Sequence, residues 1–276
     1  MTQHLVDECN VRAVFSEANQ GKLGALRRGG AAVLRSGDHA YVAVVDQDGD
    51  HFANELPNFV RAAQHVESQA HTDCVMVLGR RISRHRPMGF LRGELEELAD
   101  RMLLDALHYD AVVSRTPLQL QYATTIEEYP DFHSGYKLFT RATAEHVFLA
   151  DPDPAGVSDN AYYRHAVEAV ITVEAVKSGA LLAVVNRTTL DEQPVSAFGL
   201  FDRCQMTADK IVWPCRRLEV PADFVAQWLG NHLPRLLLGS LIPQGRDELI
   251  EVRRLVLAGM GAEGEAKTDI DRPRFI

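Results

Sequence analysis

Residues Tyr41 to Val45 form a short apolar run rich in β-branched side chains, and three carboxylates at alternate positions, Asp46, Asp48 and Asp50, end it abruptly before His51. Such a run, bounded by turn residues, reads as a buried strand. A buried strand that delivers Asp-x-Asp to a turn can hold a divalent cation at the carboxyl edge of a sheet, where open α/β folds bind ligands. Hard cations take oxygen ligands, and magnesium uses one or two carboxylates and shares the rest with substrate phosphates. The segment points to a metal-assisted enzyme acting on a phosphorylated donor. Two plainer readings stand beside this one. Asp and Gly also make ordinary solvated turns. An EF-hand calcium loop matches at Asp46, Asp48 and Asp50, but needs Gly where His51 stands and Glu where Pro57 stands.

The order of elements extends the argument. Val11 to Phe15 reads as a strand, and Asn19 to about Leu34 as a helix start and helix. Glu55 to Val66 has helical spacing, Cys74 to Leu78 is apolar and closed by Gly79-Arg80-Arg81, and Leu91 to Leu107 is a long amphipathic helix. Alternating strands and helices imply an α/β fold with a mostly parallel, helix-covered sheet. Further along, Thr116 to Asp131 reads as loop, Phe132 to Arg141 as turn and strand, Ala142 to Leu149 as helix, Tyr162 to Lys177 as helix and Leu181 to Val185 as strand. Phe224 to Leu238 and Glu248 to Ala258 are helical, and the stretch holding Phe198 and Trp213 has no clear pattern. The expected organisation is a core over 1–190, a mainly helical extension over 191–258 and a polar tail over 259–276.

Bulk properties narrow the function. The chain has 276 residues, 46% of them hydrophobic and 24% charged, as in ordinary globular proteins. A net charge of −9 argues against a general nucleic-acid binder. Cys9, Cys74, Cys204 and Cys215 lack CxxC spacing and read as reduced thiols. No segment approaches the roughly 18 apolar residues of a membrane span, and the N-terminus lacks a signal-peptide pattern. A cytoplasmic protein is expected.

Four motifs now stand in order. They are Asn-x-Gly-Lys at Asn19, Asp-x-Asp-Gly at Asp46, Gly-Arg-Arg at Gly79, and Asp-x-x-Ser-Gly-Tyr-Lys-Leu-x-x-Arg from Asp131 to Arg141. This order resembles family 2 glycosyltransferases of the GT-A fold, in particular the dolichyl-phosphate-mannose-synthase-like members, over roughly residues 10 to 190. The resemblance implies a UDP- or GDP-sugar donor and Mg²⁺ or Mn²⁺ held by Asp46 and Asp48, with Asp50 or His51 completing the shell. It implies phosphate contacts from Asn19, Lys22, Arg81, Lys137 and Arg141, and Asp131 as base on the acceptor side. The plain alternatives are a solvated Lys22, surface ion pairs for Arg81 and Arg141, and a turn-capping role for Asp131. Glu168 reads as a solvated helical carboxylate, although the same cleft is within its reach, and His133 and His165 are lesser acceptor candidates. Core packing is the expected role of Trp213 and Phe198.

The chain departs from that pattern at its start. The family's first two strand motifs, which hold the nucleotide base and ribose, have no counterpart in the 18 residues before Asn19. The chain is expected to begin inside the fold and to expose a sheet edge through which a homodimer could form. Two further functions remain open: a non-catalytic remnant or binding module, and a nucleotidyltransferase on a related sheet.

Overall fold

The computed structural model describes residues 11, 13–46, 49, 51–82, 89–123, 129–189 and 202–264. Asp48, Asp50, Phe198 and Cys9 lie outside the described residues. Helix α1 (Gly21–Ser36) leads to β1 (Tyr41–Val44), α2 (Leu56–Ala70) to β2 (Val75–Arg81), and α3 (Phe90–Ser114) to β3 (Lys137–Thr140). Helix α4 (Arg141–Leu149) follows β3 without a loop, and α5 (Val167–Lys177) leads to β4 (Leu181–Arg187). Helices α6 (Arg203–Arg217), α7 (Ala222–His232), α8 (Leu238–Leu241) and α9 (Gly245–Gly259) complete an α/β chain.

The sheet order is β1-β3-β2-β4. Strands β2 and β4 pair in parallel, from Val75 opposite Leu181 to Arg81 opposite Arg187. Strand β3 runs antiparallel to both β1 and β2. The expected mostly parallel sheet is thus mixed: β1, β2 and β4 run one way, and β3 is inserted against them. The carboxyl ends of those three strands and the first residue of β3, Lys137, therefore share one edge of the sheet.

Side-chain alternation assigns the two faces. On one face Val75, Val77, Leu138 and Leu181 pack under Phe59, Ala63 and Val66 of α2. On the other, Met76, Leu78, Phe139 and Leu182 join a larger cluster with Leu23 of α1, Leu95 and Leu98 of α3 and Val170 of α5. Burial on both faces explains why β2 reads as a continuous apolar run. Ile211 and Val212 of α6 and Leu249, Val252 and Val256 of α9 belong to the same larger cluster, which therefore spans both sides of position 190.

Three segments differ from expectation. The described residues between Val11 and Phe15 form no strand, and Phe15 is 89% exposed. The helix expected over Tyr162–Lys177 is divided: Ala161–His165 forms a π-turn, Ala166 leaves helical geometry at φ −91° and ψ 15°, and α5 starts afresh. Helix α6 has no clear sequence pattern because Pro214 normally ends a helix. Here Asp202 caps its start by accepting from the Gln205 N–H at 3.1 Å, and only the last turn lies beyond the proline.

Strand β1 lies at the edge of the sheet. Ala43 and Val45 are exposed there, and an apolar groove lined by Leu26, Val33, Val42, Val44 and Phe148 runs between β1 and α1. Among the described residues no helix is long and apolar enough to cross a membrane. Phe139 sits at the centre of the sheet, fully buried, its ring edge-on to Phe148 at 5.4 Å. Phe139→Ala is expected to lower unfolding stability by about 3–5 kcal/mol, measured by urea titration; a loss below about 1 kcal/mol would mean that the cavity collapses.

Candidate functional site

The shared sheet edge carries a charged cluster rather than an apolar one. Asp46 follows β1, Arg81 ends β2, Lys137 opens β3 and Arg187 ends β4. Helices add further charges: Lys22 from the first turn of α1, Glu96 and Asp100 from α3, and Glu168 from the first turn of α5. Lys210 of α6 reaches the same cluster, with Nζ 3.6 Å from Glu96.

Arg81 and Asp131 form its most buried link. The Arg81 guanidinium donates to both Asp131 oxygens at 2.8 and 2.6 Å, and the Arg81 backbone N–H donates to the same carboxylate at 3.0 Å. Arg81 also lies 2.9 Å from Glu96. Burial disfavours the guanidinium charge, but Asp131 and Glu96 outweigh that cost and raise its pKa further. Burial likewise opposes the Glu96 charge, and Lys210, Arg81 and Arg92 overcome it, holding the carboxyl well below its ordinary range. Both Asp131 oxygens face Arg81, so the expected acceptor-side base is a member of a buried ion pair.

The loop that follows is built around this pair. His133 donates its backbone N–H to Asp100 Oδ1 at 3.1 Å and sets Nδ1 2.7 Å from the same oxygen. Its Nε2 is buried and meets no hydrogen-bond partner among the described residues. Ser134 Oγ accepts from Arg187 Nε at 3.3 Å. Gly135 lies against Asp46 so closely that a methyl group there would overlap the carboxylate. Lys137, fully buried, donates to the carbonyls of Phe132 (2.9 Å) and Ser134. Burial pushes its pKa down to about 8, against partial support from Glu168.

Lys22 ties the outer part of the site together. Its ammonium lies 2.7 Å from Asp46 Oδ1 and 2.7 Å from Glu168 Oε1. Burial works against the charge, and the two carboxylates more than offset it, so the pKa is raised. Glu168 is held low in turn: burial raises it, and Lys22, Lys137 and Lys210 overcome that effect. The expectation of a solvated Glu168 is therefore corrected, because its side chain is only 13% exposed and ion-paired. The Asn-x-Gly-Lys spacing has a local cause. Asn19 Oδ1 accepts from the Gly21 N–H at 2.9 Å, and Gly21, at φ +73°, passes so close to the Tyr163 carbonyl that a side chain would not fit. The Asp46 N–H donates to His51 Nδ1 at 2.9 Å, and the His51 ring stacks on Tyr136 at 5.0 Å.

Of the residues singled out from sequence, Lys22, Asp46, Arg81, Asp131 and Lys137 come together at this edge. Asn19 shapes the start of α1 and is exposed. Arg141 is at the opposite edge, where Thr140 faces Tyr41, and its guanidinium donates to the carbonyls of Leu34 and Gly37 at the end of α1. Sequence reasoning missed Glu96, Asp100, Arg187 and Lys210. Glu96 and Asp100 did carry a signal, two acids spaced i,i+4 among Leu95, Leu98, Ala99 and Met102 on a buried helix.

The cluster can hold an anionic ligand through its cations, or a hard cation through Asp46 and Glu168. Among the described residues no group of three or more His, Cys, Asp or Glu side chains could hold a metal ion. The donor chemistry of Asp46 and Glu168 suits Mg²⁺ or Mn²⁺, but the position between them holds the Lys22 ammonium.

Breaking a buried ion pair at one end leaves an unpaired charge, at about 3–5 kcal/mol. Because Glu96 still faces Arg81, Asp131→Asn is expected to lose up to that much stability in urea unfolding; an unchanged midpoint would show that the pair does not hold the loop. Lys137 gives a pH test. Between about 8 and its unfolded value of 10.5 the unfolded chain keeps a proton that the folded chain has released. Stability relative to Lys137→Met should therefore rise with pH across that window, by up to about 1.4 kcal/mol per pH unit, and a flat difference would contradict the burial of an uncompensated ammonium.

No protein-family model matches this chain, and no curated protein or solved structure matches it.

Proposed function

We propose that the chain is a cytoplasmic GT-A-like glycosyltransferase that moves a sugar from a nucleoside-diphosphate donor to an acceptor. One observation carries the reading: three strands that run the same way bring Asp46, Arg81 and Arg187 to one carboxyl edge, and Lys22 and Lys137 join them there. Open α/β sheets bind ligands outside the carboxyl ends of their strands, and a diphosphate needs cations. The motif order that resembles family 2 glycosyltransferases supports the donor class.

In this reading Asp46, with Asp48 and Asp50, would hold Mg²⁺ or Mn²⁺. The ion would supply Lewis-acid stabilisation of the leaving diphosphate. The chain's own groups do the rest. Gly135 gives Asp46 its room. Arg81, with both Asp131 oxygens and Glu96 against it, fixes the Asp131–Gly135 loop rather than reaching for phosphate. Lys22, whose side chain is 36% exposed, is the cation best placed to turn toward a ligand. A base is required only for a neutral hydroxyl acceptor. Glu168, with its pKa held low, is a weak one.

A second reading has its own observation. The exposed edge of β1 and the apolar groove beside it suit a binding module that dimerises strand to strand. Incubation with UDP- and GDP-sugars and Mn²⁺ separates the two. Release of nucleoside diphosphate is expected, and Asp46→Ala should lower its rate by about 100-fold or more, the effect of several kcal/mol of Lewis-acid stabilisation. Full activity in Asp46→Ala would remove the assigned site. Pyrophosphate in place of nucleoside diphosphate would identify a nucleotidyltransferase, and a silent protein that sediments as a dimer would favour the binding module.

A further inference from the structure

Lys210 is held differently from the other cations of the cluster. Lys22, Arg81, Arg92, Lys137 and Arg187 each donate a hydrogen bond to a described residue. Among the described residues Lys210 has no hydrogen-bond acceptor, and its ammonium stays 3.6 Å from Glu96 Oε1, beyond the usual reach of about 3.2 Å. The cause is on Glu96. Its Oε1 accepts from Arg92 Nε at 3.0 Å, and its Oε2 lies 2.9 Å from Arg81. Lys210 is therefore a third cation on a carboxylate whose two oxygens are taken. An ammonium removed from water without hydrogen bonds is costly, and native structures give such groups a partner. Ten per cent of the Lys210 side chain stays open, so it is not sealed from a ligand.

The fold aims Lys210 at this place. Asp209, next in sequence, sets Oδ2 2.6 Å from His165 Nδ1 in the π-turn, and Trp213, further along α6, donates its indole N–H to the Asp153 carbonyl at 3.1 Å. With α6 anchored there, the Lys210 charge acts on Glu96 of α3 and on Glu168 of α5. Both carboxylates have closer cations, Arg81 and Arg92 for Glu96 and Lys22 for Glu168. A second polar group near Glu96 is also unmatched. One turn along α3, about 6 Å away, Asp100 holds His133, whose buried Nε2 has no partner among the described residues. Polar capacity against this face of α3 is thus unfilled at two points.

We propose that Lys210 anchors a second anion subsite, between α3 and α6, for an oxyanion group of a ligand, a phosphate or a carboxylate. It is apart from any diphosphate held near Lys22, and it rests on neither the sugar donor nor the metal. An oxyanion supplies the acceptor oxygens that the three ammonium N–H groups lack, and bonds between ionised partners are the strong ones. Arg81 and Arg92 remain on Glu96, and Lys22 on Glu168, so the entering anion meets carboxylates whose charge is already balanced.

The test is calorimetric titration of the full chain with inorganic phosphate, and separately with acetate, each with and without saturating UDP and Mn²⁺. Saturable binding of at least one anion is expected, and Lys210→Met should weaken it at least about tenfold, the effect of losing hydrogen bonds to a charged group. The binding should persist when UDP is present. Glu96 keeps two cations in Lys210→Met, so the variant is expected to fold; if it does not, the Lys210 Nζ nuclear magnetic resonance signal of the wild type takes its place, and the anion should move it from an unbonded to a hydrogen-bonded position. Equal affinity in wild type and Lys210→Met, an unmoved Lys210 signal, or no saturable binding of either anion overturns the subsite. Displacement of the anion by UDP overturns its separateness and assigns Lys210 to the diphosphate. Release of nucleoside diphosphate is measured independently, so the subsite and the transferase reading fail separately.

Discussion

The buried pairing of Arg81 with Asp131 is the constraint around which the functional edge is organised. A guanidinium and a carboxylate removed from water cost several kcal/mol each, and only close, multiply bonded geometry offsets that cost. Here the carboxylate accepts from the guanidinium at two points and from the backbone of the same arginine. The end of β2 and the loop before β3 are thereby locked into one relative position. With that loop fixed, Gly135 meets Asp46, Ser134 meets Arg187 and Lys137 finds its carbonyl acceptors. An interaction that contributes little net stability still fixes where Ser134, Gly135 and Lys137 sit.

The insertion of β3 against its neighbours has the same logic. Its antiparallel direction brings the amino end of β3 to the edge where β1, β2 and β4 finish. Lys137 is therefore positioned by a strand and not by a loop, and can be buried with bonds to two carbonyls. A parallel β3 would have placed its last residue, Thr140, and with it Arg141, at this edge instead. The opposite outcome is seen: Arg141 leaves the site and caps α1.

What could be read from sequence divides along the range of the interactions involved. Helices α1 to α3 and strands β1 and β2 follow from apolar periodicity and Gly punctuation, which are local. The Asp46 segment was recognisable because strand and carboxylates are contiguous. The partners were not recognisable. Lys22 and Glu168 are 146 residues apart, and Arg81 and Asp131 are 50 apart, so no local pattern links them. Glu168 reads as solvated because most helical carboxylates are, and only the fold turns it inward. The π-turn at Ala161–His165 hid it further, since a helix expected to run without interruption from Tyr162 presents its faces in the wrong register. Helix α6 was lost to Pro214, and Lys210 with it.

The charge balance of the edge limits what it can bind. Lys22, Arg81, Arg92, Lys137, Arg187 and Lys210 face Asp46, Glu96, Asp100, Asp131 and Glu168, so carboxylates balance most of the positive charge of the cluster. A cation held by a carboxylate offers an anion less field than one without such a partner. An entering anion therefore competes with these carboxylates for the cations they hold. The inner pairs, Arg81 with Asp131 and Glu96, are sealed from water and cannot exchange cheaply. The outer pair, Lys22 with Asp46, is open to solvent on one side. Exchange is thus easiest at the outer pair, which water reaches, while the inner pairs hold the end of β2 and the loop before β3 in place.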